Sequence, residues 1–312
     1  MKNLKQMHLG NGVEDGTGFS WLFCQGPVIG RQDPIVSKED RQVLRELGQK
    51  VKHLSEDPIQ EERRDLWASH HSLKQTRPIV FIDPELAWYE ILPAENLRCT
   101  GNLARIWEYK MLKEILWQEE IQDDRVCRAV IPVQHVFNET GFGIEKELAG
   151  GGDNGAYHIK SVMPDYQDMS KLRFRQIEID QEKSKKLFDV AHDVYDGILD
   201  VQVENAWWFS FQLTMNAVFL RGFENFLLDI YDNPGELHAL MRFLSDESMN
   251  RLDFLEQNGL LSLNNGGEFM GTGGYGWCDE LPGEPFDPSH VTSRNMWGYD
   301  ESQETVSVSP DA

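Results

Sequence analysis

The chain has 312 residues, and its 52 Asp and Glu against 30 Lys and Arg give a formal net charge of −22. Because no basic stripe offsets this charge, nucleic acid and anionic membrane surfaces are excluded as expected partners. The four cysteines, Cys24, Cys99, Cys127 and Cys278, form no paired motif, which favours a reducing compartment. No run of about 18 apolar residues and no signal-peptide pattern occur, so the sequence predicts a soluble cytoplasmic protein.

The amino-terminal residues separate from the rest of the chain by composition. Residues 1–36 are rich in glycine and polar side chains without a sustained period, and they are predicted to form a flexible arm. From Ser37 onward, residues 37–312 are predicted to form one domain. Its first helix places acids in the first turn and aligns Val43, Leu44, Leu47, Val51 and Leu54 on one face. A second helix is predicted over 58–70.

Short apolar segments, rich in β-branched, aliphatic and aromatic residues, recur along the domain and are predicted to be strands. They cover residues 79–82, 126–133, 198–203, 260–263 and 305–308. A helix is predicted over 102–118. Residues 141–178 show no clean period, and we interpret them as an insertion or a hairpin excursion.

The block 221–267 has the clearest pattern. One helix is predicted from the stripe of Phe219, Phe223, Phe226, Leu227 and Ile230. A capping box of Asn233 and Glu236 around Pro234 is predicted to begin a second helix, which ends at Asn258 and Gly259. The apolar strand 260–263 then runs into polar residues, as a βα unit of an α/β barrel does at its carboxyl end.

These elements favour an α/β fold of the TIM (β/α)8 type. A chain of this length accommodates such a barrel, which has about 250 residues and eight strands. Only five strands are predicted, and a curved sheet of five would leave unpaired edges and a half-exposed lining. We therefore expect the barrel to be truncated at the carboxyl terminus, with about three βα units missing.

Three segments resemble a known family. Residues 77–83, the block 221–261 with its Tyr-Asp-Asn-Pro junction at 231–234, and the closing 306–310 resemble the uroporphyrinogen decarboxylase superfamily. The resemblance runs from about residue 37 to the end and is strongest after 216. It implies a TIM barrel and two alternative activities, that of the haem-pathway decarboxylase and that of corrinoid-linked methyltransferases acting on thiols.

The arginine pattern favours the methyltransferase branch. The decarboxylase carries Arg-Gln-Ala-Gly-Arg-Tyr soon after its first Arg-Pro, whereas here Arg77 and Pro78 precede Ile-Val-Phe-Ile-Asp-Pro-Glu-Leu. Two arginines for substrate carboxylates are therefore absent, and an acidic chain repels a substrate with eight carboxylates. The region 297–300 also resembles uncharacterised members of the methyltransferase branch.

The resemblance implies methyl transfer between a methylcobamide, carried by a corrinoid-binding protein, and a small acceptor such as a thiol. Those methyltransferases hold zinc with one His and two Cys, in segments expected beyond residue 312, so no metal ligand is assigned in this chain. Two alternatives stay open. One is a metal-free carboxy-lyase of the uroporphyrinogen decarboxylase type, and the other is a non-catalytic fragment or binding protein.

Candidate site residues are those that follow predicted strands, because barrel enzymes keep their chemistry at the carboxyl ends. The predicted catalytic acids, bases and proton carriers are Asp83, Glu85, His135, Glu268 and Asp300. The predicted substrate-binding residues are Trp207, Asn264, Asn265, Trp297, Tyr299 and Gln303. Structural alternatives are a glycine-rich turn at 264–268, a hydrogen-bonded structural role for His135, and ordinary core packing for the aromatic group around Trp207.

Overall fold

The computed structural model describes residues 34–84, 87–150, 157–205, 213–268, 276–298, 303–305 and 308–309. Within them the chain is a mixed α/β protein dominated by helices. The predicted arm lies outside the described residues as far as residue 33. No helix in the described part of the chain is long and apolar enough to cross a membrane.

Within the described residues, four helices precede five short strands, and a fifth helix, a sixth strand and three further helices follow. The helices are α1 (Lys38–Ser55), α2 (Ile59–His71), α3 (Trp88–Ile91), α4 (Asn102–Leu116), α5 (Gln181–Tyr195), α6 (Leu213–Arg221), α7 (Phe223–Asp232) and α8 (Pro234–Gln257). The strands are β1 (Val130–Val133), β2 (Phe137–Glu139), β3 (Glu147–Gly150), β4 (Tyr157–Lys160), β5 (Ile177–Ile179) and β6 (Asp200–Val203). A π-helical turn, Trp117–Ile121, extends α4, and 3-10 turns lie at Ala94–Asn96, Tyr166–Lys171, Ser293–Asn295 and Gln303–Thr305.

The first two helices confirm their sequence predictions. Ser37 caps α1, because its hydroxyl oxygen accepts a hydrogen bond of 3.0 Å from the backbone N–H of Asp40. Leu44, Leu47 and Val51 on the predicted face are buried. Helix α2 begins and ends one residue later than predicted.

Strands β1 and β6 form a parallel pair in which Val130 lies opposite Asp200 and Val133 lies opposite Val203. On one face, Ile131 and Val133 are buried in a core shared with α1, α4 and α5. On the other face, Asp200 is exposed and Gln202 is exposed. The pair is therefore covered by helices on one side and polar on the other, and both strands end at the same edge.

Two of the predicted strands do not form. Residues 79–82 form no strand, because the N–H groups of Val80 and Ile82 donate instead to the carboxylates of Asp124 (2.8 Å) and Asp123 (2.7 Å). Residues 260–263 are irregular as well, although Leu260 and Leu261 are buried. Two other predicted strands, 126–133 and 198–203, are present but are each shortened to four residues.

The last predicted strand, 305–308, is not found in its described part. Thr305 ends a 3-10 turn, Val308 lies in a bend, and residues 306–307 lie outside the described residues. One parallel pair is thus the extent of parallel sheet in the described residues, and a closed barrel is not shown.

The described residues between 137 and 179 form two antiparallel strand pairs, as the hairpin alternative for residues 141–178 predicts. Strands β3 and β4 pair antiparallel, and β2 and β5 pair antiparallel around them. A second core lies beneath this region, where Phe142, Met163 and Leu172 pack against Leu220 and Leu240. The excursion is therefore packed on the helices α6 to α8.

The predicted helix through Phe219 and Phe223 is in fact two helices. Gly222 separates α6 from α7 with φ +76°, and a Cβ on it would lie 3.2 Å from the Cβ of Ser161. The capping box is wrong too, because the Asn233 side chain donates to Asp229 (2.8 Å) and makes no cap bond. Gly259, with φ +63°, does end the α8 region as predicted.

Candidate functional site

The residues that follow the two parallel strands are joined by one amide. The Oδ1 atom of Asn205 accepts hydrogen bonds from the backbone N–H of His135 (3.0 Å) and from its Nδ1 (3.1 Å). Asn205 also donates to the carbonyl oxygen of Leu260 (3.0 Å), and its backbone N–H donates to the hydroxyl oxygen of Ser262 (3.0 Å). Asn205 therefore ties the ends of β1 and β6 to residues 260–262.

This arrangement fixes the tautomer of His135. The amide oxygen of Asn205 has no hydrogen and can only accept hydrogen bonds. In the neutral imidazole, Nδ1 therefore carries the proton and Nε2 keeps its lone pair. The ring also packs edge-on against Phe188, with centroids 5.5 Å apart. His135 is thus held in one orientation at the carboxyl end of β1.

A cation between two carboxylates lies on the polar side of the strand pair. Arg128 Nη2 is 2.7 Å from Glu204 Oε1 and 3.3 Å from Glu268 Oε1. The same nitrogen donates to Gln202 Oε1 at 3.2 Å. All three charged side chains are largely shielded from solvent, at 21%, 17% and 16% exposure. We call this group the Arg128 cluster.

Burial raises the pKa of Glu268, and repulsion by Glu204 adds to the rise, while Arg128 opposes it. The Oε2 atom of Glu268 accepts the backbone N–H of Gly266 at 2.6 Å. The carboxyl group therefore gains and loses its proton at higher pH than an ordinary glutamate. This property suits general acid–base chemistry.

Two lysines of α4 have lowered pKa values, and one of them, Lys110, interacts with Glu204 of the Arg128 cluster. Burial lowers the pKa of Lys110 to about 8, although the negative charge of Glu204 raises it in part. Burial also lowers the pKa of Lys113 to about 8, against the favourable charge of Asp83. The Lys113 ammonium lies over two rings, 4.8 Å from the centroid of Trp88 and 5.5 Å from that of Trp117.

Asp83, a predicted catalytic acid, belongs to this lysine group rather than to the Arg128 cluster. Its Oδ1 accepts the indole N–H of Trp88 at 3.1 Å. Asp83 acts electrostatically on Lys113, which in turn acts on Lys110. Lys113 therefore interacts electrostatically with both Asp83 and Lys110, and Lys110 interacts with Glu204.

The predicted substrate amides are engaged with backbone groups. Asn264 makes a reciprocal pair with Trp297, donating to its carbonyl oxygen (3.1 Å) and accepting from its N–H (2.8 Å). Asn265 donates to the carbonyl oxygen of Leu281 at 2.6 Å. Both amides thus hold the segment 281–297 beside the loop 264–268, which is a structural role, and their binding of substrate stays a prediction.

Aromatic rings gather beside the same loop. His71 Nδ1 is 2.6 Å from the carbonyl oxygen of Trp277, so it carries the proton, and the His71 ring lies 5.2 Å from that of Trp297. Trp67 lies 5.6 Å from His71 on centroids. We call Trp67, His71, Trp277 and Trp297 the aromatic cluster.

The remaining predicted site residues have a different status. Glu85, Trp207, Tyr299 and Asp300 lie outside the described residues. Gln303 begins the turn Gln303–Thr305, and its side chain is not described. Of the predicted residues, the structure brings His135, Asn264, Asn265, Glu268 and Trp297 to the region where β6 and residues 260–268 meet.

Sequence reasoning missed several residues of this region. Glu204 and Asn205 directly follow a predicted strand, so the rule that selected Asp83 and His135 had the information to select them. Arg128 lies two residues before β1, at the wrong end for that rule. Its guanidinium nevertheless contacts Glu204, which follows β6, and no sequence pattern shows this contact.

A metal site is not evident in the described residues, where no group of three or more His, Cys, Asp or Glu side chains could hold a metal ion. No family model, curated protein or solved structure matches the chain.

Proposed function

We propose that this chain is a barrel enzyme of the uroporphyrinogen decarboxylase type, acting as a corrinoid-linked methyltransferase. It would move a methyl group between a methylcobamide on a corrinoid-binding partner and a small acceptor such as a thiol. The observation that carries the proposal is the Arg128 cluster, a shielded acid–base group beside the carboxyl end of a parallel strand pair.

The order of segments in space supports a barrel. The backbone N–H of Asp124 donates to the carbonyl oxygen of Val80 (2.9 Å), which places residues 79–82 beside the segment leading to β1. Strand β1 pairs with β6, and Asn205 joins β6 to residues 260–262. Four successive segments thus neighbour one another in chain order, as barrel strands do.

Glu268 supplies the proton acceptor in the proposed reaction. When bound, the corrinoid carrier would supply the methyl group as an electrophilic carbon and would retain the electrons of the broken bond. The Glu268 carboxylate would accept the proton of the acceptor thiol. The raised pKa of Glu268 makes it a stronger base than an ordinary glutamate.

The charges around the site favour a small neutral acceptor over a polycarboxylate. The linked cations are Lys110, Lys113, Arg125 and Arg128, and the linked acids are Asp83, Glu114, Glu204 and Glu268. Their formal charges cancel, so the group offers no surplus positive charge to a substrate with several carboxylates. This balance weighs against the carboxy-lyase alternative.

The test uses purified chain, methylcobalamin and a small thiol, with demethylation followed by the visible absorption of the corrinoid. The wild type is expected to demethylate the probe, and Glu268→Gln to slow this by about 10²- to 10⁴-fold. Glu224→Gln, at an exposed position of α7, is the matched control and is expected to retain the wild-type rate. Absence of both demethylation and corrinoid binding would reject the proposal, and release of carbon dioxide from uroporphyrinogen would establish the alternative.

A further inference from the structure

Two tryptophans of the aromatic cluster bury an indole N–H that has no acceptor within the described part of the chain. They are Trp277 and Trp297, whose Nε1 atoms are buried and make no hydrogen bond. Three other buried indoles are satisfied: Trp67 donates to Asp124 O (2.8 Å), Trp88 to Asp83 Oδ1 (3.1 Å) and Trp117 to Ile82 O (2.9 Å). Because a buried donor without an acceptor is costly, native structures nearly always provide one.

The two unsatisfied indoles belong to one region. The His71 ring packs on Trp297, and its Nδ1 donates to the Trp277 carbonyl oxygen. Gly267, with φ +95°, lets the loop touch the Trp277 ring, since a Cβ there would lie 2.5 Å from a ring carbon. Asn264 fixes the Trp297 backbone from the same loop. Both indoles are thus positioned by residues 264–267 and His71.

The surroundings restrict the chemistry of an acceptor. Four rings favour a planar partner, because aromatic groups attract each other in stacked and edge-on geometries. Carboxylates stand nearby: Glu268 closes the loop, and Glu280 accepts the hydroxyl of Ser72, next to His71. In a chain of net charge −22, these groups repel an anion. An uncharged oxygen acceptor on a planar ring fits these conditions.

We propose that the aromatic cluster is a binding subsite for a neutral planar compound that presents a carbonyl oxygen, such as an aromatic carboxamide, to the indole N–H groups of Trp277 and Trp297. The proposal goes beyond methyl transfer, because binding here requires neither a corrinoid nor turnover. A test of binding at the aromatic cluster is therefore independent of a test of the proposed reaction.

The first test is a ligand-observed NMR titration of the full chain with three probes. Benzamide is planar, neutral and carries a carbonyl oxygen, benzoate adds a negative charge, and cyclohexanecarboxamide keeps the amide without a planar ring. Benzamide is expected to bind saturably and at least about fivefold more tightly than either other probe, as expected for a lost hydrogen bond or ring contact. No saturable binding of benzamide, or tighter binding of benzoate, would overturn the proposal.

The second test removes the donors and keeps aromatic rings. Trp277→Phe and Trp297→Phe are each expected to weaken benzamide binding about tenfold, the effect of one hydrogen bond. Trp117→Phe is the matched control, because its indole N–H is satisfied by Ile82 O, outside the cluster, and its benzamide affinity is expected to equal that of the wild type. Equal affinities in all three variants would contradict the assigned donors. If a variant does not fold, the three-probe titration of the wild type decides.

Discussion

At the scale of single residues, Arg128 connects the two carboxylates on which the proposed chemistry depends. Glu204 and Glu268 share its guanidinium, and all three side chains are mostly shielded from water. Removing the arginine leaves two like charges close together in a low-dielectric environment, without the cation that compensates them. Arg128 thus contributes to the stability of the fold and also affects the pKa of Glu268.

Arg128→Ala is accordingly expected to destabilise the chain by about 3 to 5 kcal/mol, the range for breaking a buried ion pair. The matched control is Arg41→Ala, whose pair with Asp193 is exposed and is worth at most about 1 kcal/mol. Urea unfolding of both variants gives the comparison. Equal small losses would show that the Arg128 cluster is solvated in solution.

The raised pKa of Glu268 makes the stability of the fold depend on pH. A group whose folded pKa lies above its unfolded value stabilises the fold at pH below the unfolded pKa, and this contribution is lost as pH rises through the folded pKa. The Glu268 contribution is therefore expected to decline above the ordinary glutamate range, near pH 4.5. Denaturant unfolding from pH 4 to 8 should show this decline in the wild type and in Glu224→Gln, but a flatter profile in Glu268→Gln.

At the scale of elements, Gly222 decides that α6 and α7 are separate helices. Its φ of +76° lies in the region that favours glycine, and the backbone of Ser161 approaches it closely. The apolar stripe that predicted one continuous helix is present in the sequence, but the turn at Gly222 redirects it. Phe219 is consequently buried, whereas Phe223 is 45% exposed.

Gly222→Ala is expected to destabilise the chain by about 1 to 3 kcal/mol, because alanine is strained at this φ and its Cβ crowds Ser161. Gly235→Ala, in the first turn of α8 with open space around its Cβ position, is the control. It is expected to be neutral or to stabilise by up to about 1 kcal/mol. Thermal unfolding of the two variants checks this, and similar shifts would argue against the strain at Gly222.

At the scale of the whole molecule, ion pairs fasten the antiparallel excursion to α8. Arg175, just before β5, contacts the almost fully buried Glu247 through two hydrogen bonds of 2.8 and 2.7 Å. Glu139 of β2 pairs with Arg251 of α8 at 2.5 Å. These contacts join segments more than 70 residues apart in the chain. These ion pairs are therefore tertiary contacts, which no local sequence pattern predicts.

Arg175→Ala is expected to loosen the excursion selectively, because Glu247 loses its main cation while the core around β1 and β6 is untouched. Hydrogen exchange should accelerate in β2 and β5 more than in β1 and β6. Lys185→Ala, whose pair with Asp189 is exposed on α5, is the control and should leave exchange unchanged. Uniform acceleration across both sheets would contradict a local role for Arg175.

Local signals account for the predictions that the structure confirms. The cap at Ser37, the buried face of α1 and the left-handed Gly259 each depend on a few neighbouring residues. The strand predictions failed where backbone partners come from elsewhere: Val80 and Ile82 bond to carboxylates more than 40 residues away. The candidate site divides in the same way, with His135 and Glu268 found by position and Arg128 found only by its contacts.

By itself, the sequence determined the acidic character of the chain, the positions of most helices and the polar residues that follow its apolar segments, because composition and periodicity are local properties. The tertiary structure alone decided that β1 pairs with β6, that Arg128 lies between two glutamates and that two indole N–H groups are buried without an acceptor among the described residues. Each of these depends on atoms brought together from distant parts of the chain, and burial then sets the strength of their charges and hydrogen bonds.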